Sequence, residues 1–256
     1  IIALRDQSQV RYQFKHPVRI GAAGGISTPR AVLGAYMMGA AYVVTGSINQ
    51  ACIESGASNH TKNLLAQAEM ADVTMAPSAD MFEMGSRVQV LKKGSLFPMR
   101  AQKLYDLYTT YASLEEIPAD IRQNLENKIF NRKIDDIWND TVIFFNQRDP
   151  DQITKAEKNP KKKMALVFRW YLGLASRWSR DGVEDRRMDY QIWCGPSMGA
   201  FNEWAKGTYL EEPSNRVVAD IAWQLIKGCS YLSRIQVLKL QGVSVQSELE
   251  RFYPRQ

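Results

Sequence analysis

The sequence predicts an α/β fold that opens with two parallel strands joined by a helix and continues into a mostly helical region. Residues 18–22 and residues 42–45 are short apolar runs of the length of buried strands. Between them, Thr28 and Pro29 have the residue types of a helix N-cap and first helical position, and Gly39 ends the helix. This order and spacing indicate a βαβ unit, in which the two strands run parallel.

A glycine-bearing loop follows each of the two predicted strands. Gly24 and Gly25 follow the first strand, and Gly46 and Ser47 follow the second. Glycine lets the backbone approach an anion closely and present its N–H groups. In a (β/α)8 barrel, phosphate commonly lies between the loops after the last two strands, at the carboxyl face of the barrel. We therefore expect the two loops to bind a phosphate together. Two ordinary tight turns are the alternative interpretation.

Downstream of the second strand, apolar residues recur mainly at helical spacing. They predict helices over residues 59–70, 99–111, 118–132, 134–146, 152–159, 161–180 and 216–232. Residues 113–116, with serine first and glutamate last, have the spacing of a capping box. Periodicity alone leaves the role of this helical region open.

Composition narrows the function classes. The chain has 256 residues, of which 45% are hydrophobic and 23% charged, as in an ordinary soluble protein. Its net charge of +6 is spread along the sequence, which argues against a nucleic-acid binder, and no apolar run has the length of a membrane span. Cys52, Cys194 and Cys229 are odd in number and lack metal-ligand spacing. We expect free thiols in a cytoplasmic protein and no metal site.

Three long stretches of the chain resemble the PfaD family. They are DMFEMGSRVQVLKKGSLFPMRAQKLYDLY (residues 80–108), NPKKKMALVFRWYLG (159–173) and DYQIWCGPSMGAFNEWAKGT (189–208). This family is the separate enoyl reductase of polyunsaturated fatty acid synthases, and it is related to the trans-acting enoyl reductases of polyketide synthases. The glycine motifs AAGGIST and GAAYVVTGSINQ are similar to the end of the flavin-binding barrel of nitronate monooxygenases and related enoyl reductases.

The resemblance implies that the chain is the C-terminal portion of an FMN-binding (β/α)8 TIM barrel, comprising its last two βα units, followed by a mostly α-helical region. We expect residues 1–75 to hold the barrel portion, residues 76–235 to form a helical lid, and residues 236–256 to be a tail without an assigned role. Two strands cannot close a barrel, because their outer edges would stay unpaired. The remaining N-terminal barrel half is therefore an expected partner.

The resemblance also implies an activity. It is that of an FMN-dependent oxidoreductase, reduced by NADPH or NADH, that acts on 2-enoyl thioesters bound to an acyl carrier protein in fatty acid or polyketide biosynthesis. The residues expected to bind the cofactor phosphate are Ala23, Gly24, Gly25, Thr45, Gly46, Ser47 and Gln50. A nitronate-oxidising flavoenzyme and a non-catalytic docking module of a synthase are the alternatives, and a homodimer is left open.

Catalytic residues cannot be assigned within this chain. His16 precedes a predicted strand, where a barrel has its stability face, and His60 begins a helix. The resemblance places the catalytic histidine in the N-terminal half. Cys194 as a nucleophile would need a histidine base, and none is near it in sequence, so we reject that role.

Two further segments have competing interpretations. Residues 75–94 combine three methionines and Phe82 with two carboxylates, and they indicate either a wall over a flavin or acyl chain or, more simply, a core-packing segment. Asp80 and Glu83, three residues apart, suit either a paired acid–base role or, more simply, a solvated surface or an ion pair of Glu83 with Arg87, four residues later. Residues 161–163 are three consecutive lysines, which suit either a carrier protein or a solvated surface.

Overall fold

The computed structural model describes residues 1–255 and divides them into two compact units. The split unit comprises Ile1–Asp72 and the residues from Cys194 onward, and the inserted unit is the continuous segment Val73–Trp193. The inserted unit therefore interrupts the split unit in sequence. The predicted division into residues 1–75, 76–235 and 236–256 concerns the roles of these segments and stays a prediction.

Helices dominate both units. The α-helices are α1 (Ile2–Tyr12), α2 (Pro29–Met37), α3 (Asn59–Ala66), α4 (Phe97–Thr110), α5 (Ala119–Asn124), α6 (Ile134–Asn146), α7 (Asp151–Lys158), α8 (Pro160–Asp181), α9 (Ser197–Ala205) and α10 (Val218–Leu240). The strands are β1 (Gly21–Ala23), β2 (Tyr42–Val44), β3 (Val73–Pro77) and β4 (Arg87–Leu91). A 3₁₀ turn spans Ser47–Ala51, and a π turn over Leu125–Phe130 continues α5. In the part of the chain described, no helix is long and apolar enough to traverse a bilayer.

The predicted βαβ unit is confirmed in the split unit. Strands β1 and β2 pair in parallel, with Ala23 opposite Val44, and α2 connects them. Helix α2 begins as predicted, because the hydroxyl of Thr28 accepts the N–H of Ala31 at 3.3 Å. Strand β1 starts three residues later than predicted. The reason is that Val18 is bound to α1: its N–H donates to a glutamine side chain of that helix.

Helix α10 packs against α2, and the C-terminal segment (residues 241–255) packs over both. A Cβ atom built on Gly228 of α10 would lie 2.5 Å from a ring carbon of Pro29 and 2.5 Å from the ring of Phe252. The indole N–H of Trp204 donates to the carbonyl of Phe252 at 2.8 Å, and the hydroxyl of Tyr231 donates to the carbonyl of Leu249 at 2.8 Å. The C-terminal segment, which has no assigned role, is thus fixed onto the helices of the split unit.

The inserted unit begins with an antiparallel hairpin, β3–β4, followed by five helices. Its helices confirm those predicted between residues 99 and 180 to within a few residues at each end. Large aromatic side chains from the hairpin loop and from several helices form its core, and they are fully or almost fully buried: Phe82, Phe97, Phe130, Phe168 and Tyr171. The hairpin was not predicted as two strands.

In the methionine-rich segment, residues 75–94, the phenylalanine is buried and the three methionines are exposed. Phe82 is fully buried and meets the ring of Tyr105 edge-on at 5.5 Å between centroids. Met75, Met81 and Met84 are 47%, 58% and 80% exposed. The core-packing interpretation therefore holds for the phenylalanine and is wrong for these methionines, because the backbone directs the ring of Phe82 into the core and leaves the methionines at the surface of the described chain.

The charged residues of this segment and of the lysine run pair over long sequence distances. The ammonium of Lys162 binds the carboxylate of Glu83 at 2.6 Å, so the predicted pairing of Glu83 with Arg87 is wrong. Lys161 donates to the carbonyl of Tyr111 at 2.5 Å, which satisfies the end of α4. Two of the three lysines therefore have partners inside the inserted unit, and neither is freely solvated.

A buried ionic network connects the end of the inserted unit to its helices. The carboxylate of Asp189 is 2% exposed, binds the guanidinium of Arg100 and lies 3.2 Å from that of Arg186. It also accepts the hydroxyl of Tyr171 at 2.7 Å. Burial and the neighbouring carboxylate raise the pKa of Tyr171 far above its usual value, so the tyrosine remains a donor. Arg186 in turn donates to the carbonyl of Phe130 at 3.1 Å.

Candidate phosphate site

Strands β1 and β2 deliver the two glycine loops to the same edge of their sheet. Ala23 lies opposite Val44, and neighbouring strands are about 4.8 Å apart, so the chains that leave these residues start side by side. Gly24 and Gly25 then adopt φ values of 84° and 73°. These values lie in the left-handed region that favours glycine, and they turn the first loop back towards α2. The structure thus brings together the two loops that the sequence singled out.

Open space surrounds the glycines of both loops. A Cβ atom built on Gly24, Gly25 or Gly46 meets no atom within 4 Å, so packing within the described chain does not require glycine at these positions. Backbone conformation explains the first two glycines. Gly46 lies outside the positive-φ region, with a φ of −129°. Close approach of the backbone to a bound group would explain it.

The second loop is a 3₁₀ turn held by its own side chains. The hydroxyl of Thr45 donates to the side-chain oxygen of Asn49 at 2.9 Å, and the amide of Asn49 donates back to the carbonyl of Thr45 at 3.2 Å. The carbonyl of Gln50 accepts the hydroxyl of Ser55 at 2.7 Å. Because the Thr45 hydroxyl hydrogen is already used, Thr45 can offer an anion only its backbone.

Ser47 has a partner that sequence reasoning missed. Its hydroxyl oxygen accepts the backbone N–H of Gly195 at 3.0 Å. Gly195 lies just before α9, 148 residues away in sequence. The break at Cys194, Gly195 and Pro196 is visible in the sequence, but nothing local indicates its partner.

Helix α9 is held against the residues that precede the inserted unit. A Cβ atom built on Gly199 would lie 2.1 Å from the backbone nitrogen of Met70, so the helix and this backbone are in direct contact. The side-chain amide of Asn202 donates to the carbonyls of Leu65 and Ala68, both at 2.8 Å. These carbonyls belong to the C-terminal end of α3 and the residues after it, where acceptors lack helical partners.

The thiols near the site are buried and weakly acidic. Burial and the nearby Glu54 raise the pKa of Cys52 to about 11, and burial and Asp72 raise the pKa of Cys194 to about 12. Both side chains are at most 2% exposed. A nucleophilic cysteine needs a lowered pKa and access, so neither thiol is suited to that role.

This environment predicts thiol reactivity. In the folded protein at pH 8, we expect Cys52 and Cys194 to react with iodoacetamide at least tenfold more slowly than in the urea-unfolded protein, because the thiolate fraction falls about tenfold for each unit by which the pKa is raised. Peptide mass spectrometry at timed quenches measures each rate separately. Equal rates for Cys194 in the folded and unfolded protein would contradict this description of its environment.

Known proteins match most of this chain. Residues 111–190, within the inserted unit, match the family model described as "[Acyl-carrier-protein] S-malonyltransferase, inserted helical domain". A polyunsaturated fatty acid synthase protein of Thraustochytrium sp. is 46% identical over 246 residues, which are 93% of this chain and 16% of that protein. The polyketide biosynthesis protein PksE of Bacillus subtilis is 49% identical over 224 residues, which are 88% of this chain and 29% of that protein.

A solved structure is similar over almost the whole chain. The enoyl reductase domain of MlnA, from the macrolactin biosynthesis cluster of Bacillus amyloliquefaciens, is 42% identical with a TM-score of 0.88, covering 93% of this chain and 54% of that one. The chain thus spans about half of that domain and less than a third of the two curated relatives. These similarities confirm the resemblance drawn from the motifs: the chain is similar to part of proteins of polyunsaturated fatty acid and polyketide synthesis and to about half of a solved enoyl reductase domain.

Proposed function

We propose that this chain contributes the FMN phosphate site of an enoyl reductase that serves a polyunsaturated fatty acid or polyketide synthase. The observation that carries the proposal is the position of the two glycine loops, side by side at one sheet edge with open space around Gly24, Gly25 and Gly46. Similarity to the MlnA enoyl reductase domain supports the reaction class.

The residues of this edge suit a phosphate group. Glycine backbone N–H groups can approach an anion without obstruction by a Cβ atom, and the Ser47 hydroxyl is a further donor. The residues that would hold the phosphate are those predicted: Ala23, Gly24, Gly25, Thr45, Gly46, Ser47 and Gln50. When bound, FMN supplies hydride-transfer chemistry, with NADPH or NADH as the source of reducing equivalents. The contribution of these residues is to bind and orient the phosphate end of the cofactor.

We propose further that β1 and β2 are the last two strands of a (β/α)8 barrel. Within the described chain, these strands pair only with each other, so each has an open edge. Apolar side chains of the sheet are also uncovered, since Tyr42 is 48% and Val44 50% exposed. Helix α1 has no buried residue. The remaining strands of a barrel would pair with these edges and cover these side chains, so the other barrel half is the proposed partner.

A carrier-bound substrate is the proposed substrate class. The curated relatives are proteins of polyunsaturated fatty acid and polyketide synthesis. The family model that matches residues 111–190 is named for an acyl-carrier-protein transferase. Both support an acyl carrier protein as the partner that presents the enoyl thioester.

The test is carried out on the protein with its full natural chain. We expect visible flavin absorption after reconstitution with FMN, and NADPH or NADH consumption on addition of an enoyl thioester of a carrier protein. Absence of flavin binding together with absence of enoyl reduction would overturn the proposal. Capture of a carrier protein without any flavin binding would favour a non-catalytic docking module instead.

A further inference from the structure

We propose that Gly195 is a positioning residue of the phosphate site and acts through Ser47. This inference rests on the proposed phosphate site and goes beyond it, because Gly195 lies outside both glycine loops. The contact that carries it is the hydrogen bond from the Gly195 N–H to the Ser47 hydroxyl oxygen, 3.0 Å long. No other side chain or backbone group from outside its own loop is bound to Ser47 in the described chain.

This hydrogen bond determines what the Ser47 hydroxyl can do. A serine hydroxyl has one hydrogen to donate and two acceptor positions. The Gly195 N–H occupies an acceptor position and thereby fixes the oxygen, while no acceptor in the described chain takes the hydroxyl hydrogen. That hydrogen is free to donate to a phosphate oxygen, in a charge-assisted bond that is stronger than a neutral one. Accepting a hydrogen bond also polarises the hydroxyl and makes it a better donor.

The packing of α9 fixes the Gly195 N–H. Helix α9 begins two residues after Gly195. Its Gly199 lies so close to the backbone of Met70 that a Cβ atom built on Gly199 would be 2.1 Å from the Met70 nitrogen. Asn202 holds the same helix through two hydrogen bonds of 2.8 Å to Leu65 and Ala68. The helix therefore cannot slide towards or away from the Ser47 loop without losing these contacts.

The experiment compares FMN with riboflavin, which has the same ring system but no phosphate. Dissociation constants for both are measured by flavin fluorescence in the protein with its full natural chain. The variants are Ser47→Ala, which removes the hydroxyl, Gly195→Pro, which removes the N–H, and the double variant. We expect each single variant to weaken FMN binding about tenfold and to leave riboflavin binding unchanged, as expected for the loss of one hydrogen bond to a charged group.

The double variant tests whether Gly195 acts through Ser47. We expect it to bind FMN as Ser47→Ala does, because the N–H has no function once the hydroxyl is gone. Gly173→Ala is the control: Gly173 lies in α8, outside the phosphate site, and a Cβ atom built on it meets nothing within 4 Å, so the variant should bind FMN as the wild type does. Ser47→Thr, which keeps a hydroxyl, should retain most of the preference for FMN.

A second measurement does not depend on the proline variant folding. We expect the Gly195 amide to exchange its hydrogen more slowly in the wild type than in Ser47→Ala, and more slowly still when FMN is bound. The outcomes separate the two proposals. A wild type that binds riboflavin as tightly as FMN overturns the phosphate site itself. Two results would overturn the positioning role while the wild type still prefers FMN. One is a double variant whose loss of FMN affinity equals the product of the two single losses. The other is a Gly195 amide that exchanges its hydrogen at the same rate in the wild type and in Ser47→Ala.

Discussion

Asp189→Ala is expected to lower the free energy of unfolding of the inserted unit by about 3–5 kcal/mol, the usual cost of removing one partner from a buried ion pair. Asp189 is the common partner of Arg100, Arg186 and Tyr171, and its side chain is 2% exposed. Without Asp189, the guanidinium groups of Arg100 and Arg186 lose their carboxylate partner. The side chain of Arg186 is only 6% exposed, so its charge would stay buried without that partner. Urea unfolding followed by tryptophan fluorescence measures the change.

The matched control is an aspartate in an exposed ion pair of the same unit. Asp140 binds Arg132 at 2.5 Å, with side chains 45% and 40% exposed. Water screens such a pair, so Asp140→Ala should change the free energy of unfolding by less than about 1 kcal/mol. If Asp189→Ala were no more destabilising than Asp140→Ala, the network would not have the structural role given to it here.

Gly46→Val and Gly25→Val are expected to abolish flavin retention. A side chain at either position would occupy the space that the backbone leaves for a phosphate, and the loss of one or two charge-assisted hydrogen bonds weakens binding by about 10- to 1,000-fold. The Gly46 variant is the cleaner test, because a Cβ atom there meets nothing within 4 Å and Gly46 does not have a positive φ. Gly25 has a φ of 73°, so valine also strains the loop.

The measurement is the ratio of visible flavin absorbance to protein absorbance after gel filtration, together with the melting temperature. Gly34→Ala is the control, since Gly34 also has open space around it but lies within α2, away from both loops. It should keep its flavin and be as stable as the wild type or slightly more so. Unchanged flavin occupancy in both valine variants would remove the phosphate site from these loops.

Local signals account for the parts of the fold that could be predicted from the sequence. Thr28 and Pro29 mark the start of α2 because capping and the fixed φ of proline act within one turn. Apolar periodicity likewise locates the helices of the inserted unit. The hairpin was not predicted, although apolar and polar residues alternate over Arg87–Leu91 as they do in a strand, because a run of five residues is short and its partner strand is fixed only by the fold.

Contacts between distant parts of the chain could not be predicted in this way. Glu83 was assigned to Arg87 because the helical rule considers neighbours three or four residues apart, but its partner Lys162 is 79 residues away. The partner of Ser47, Gly195, is 148 residues away. The glycine loops could be predicted because each is a local motif. The Gly195 N–H that binds Ser47 could not, because its position depends on how α9 packs.

The contact between Gly199 and Met70 bears on how such a protein can evolve. Met70 lies shortly before the inserted unit begins, and Gly199 lies shortly after it ends. Because these two residues are in contact, the chain leaves the split unit and returns to it at neighbouring points. A segment whose ends lie together can be exchanged in a gene without separating the elements on either side of it. Residues 111–190, which match the family model of a transferase's inserted helical domain, lie within this segment.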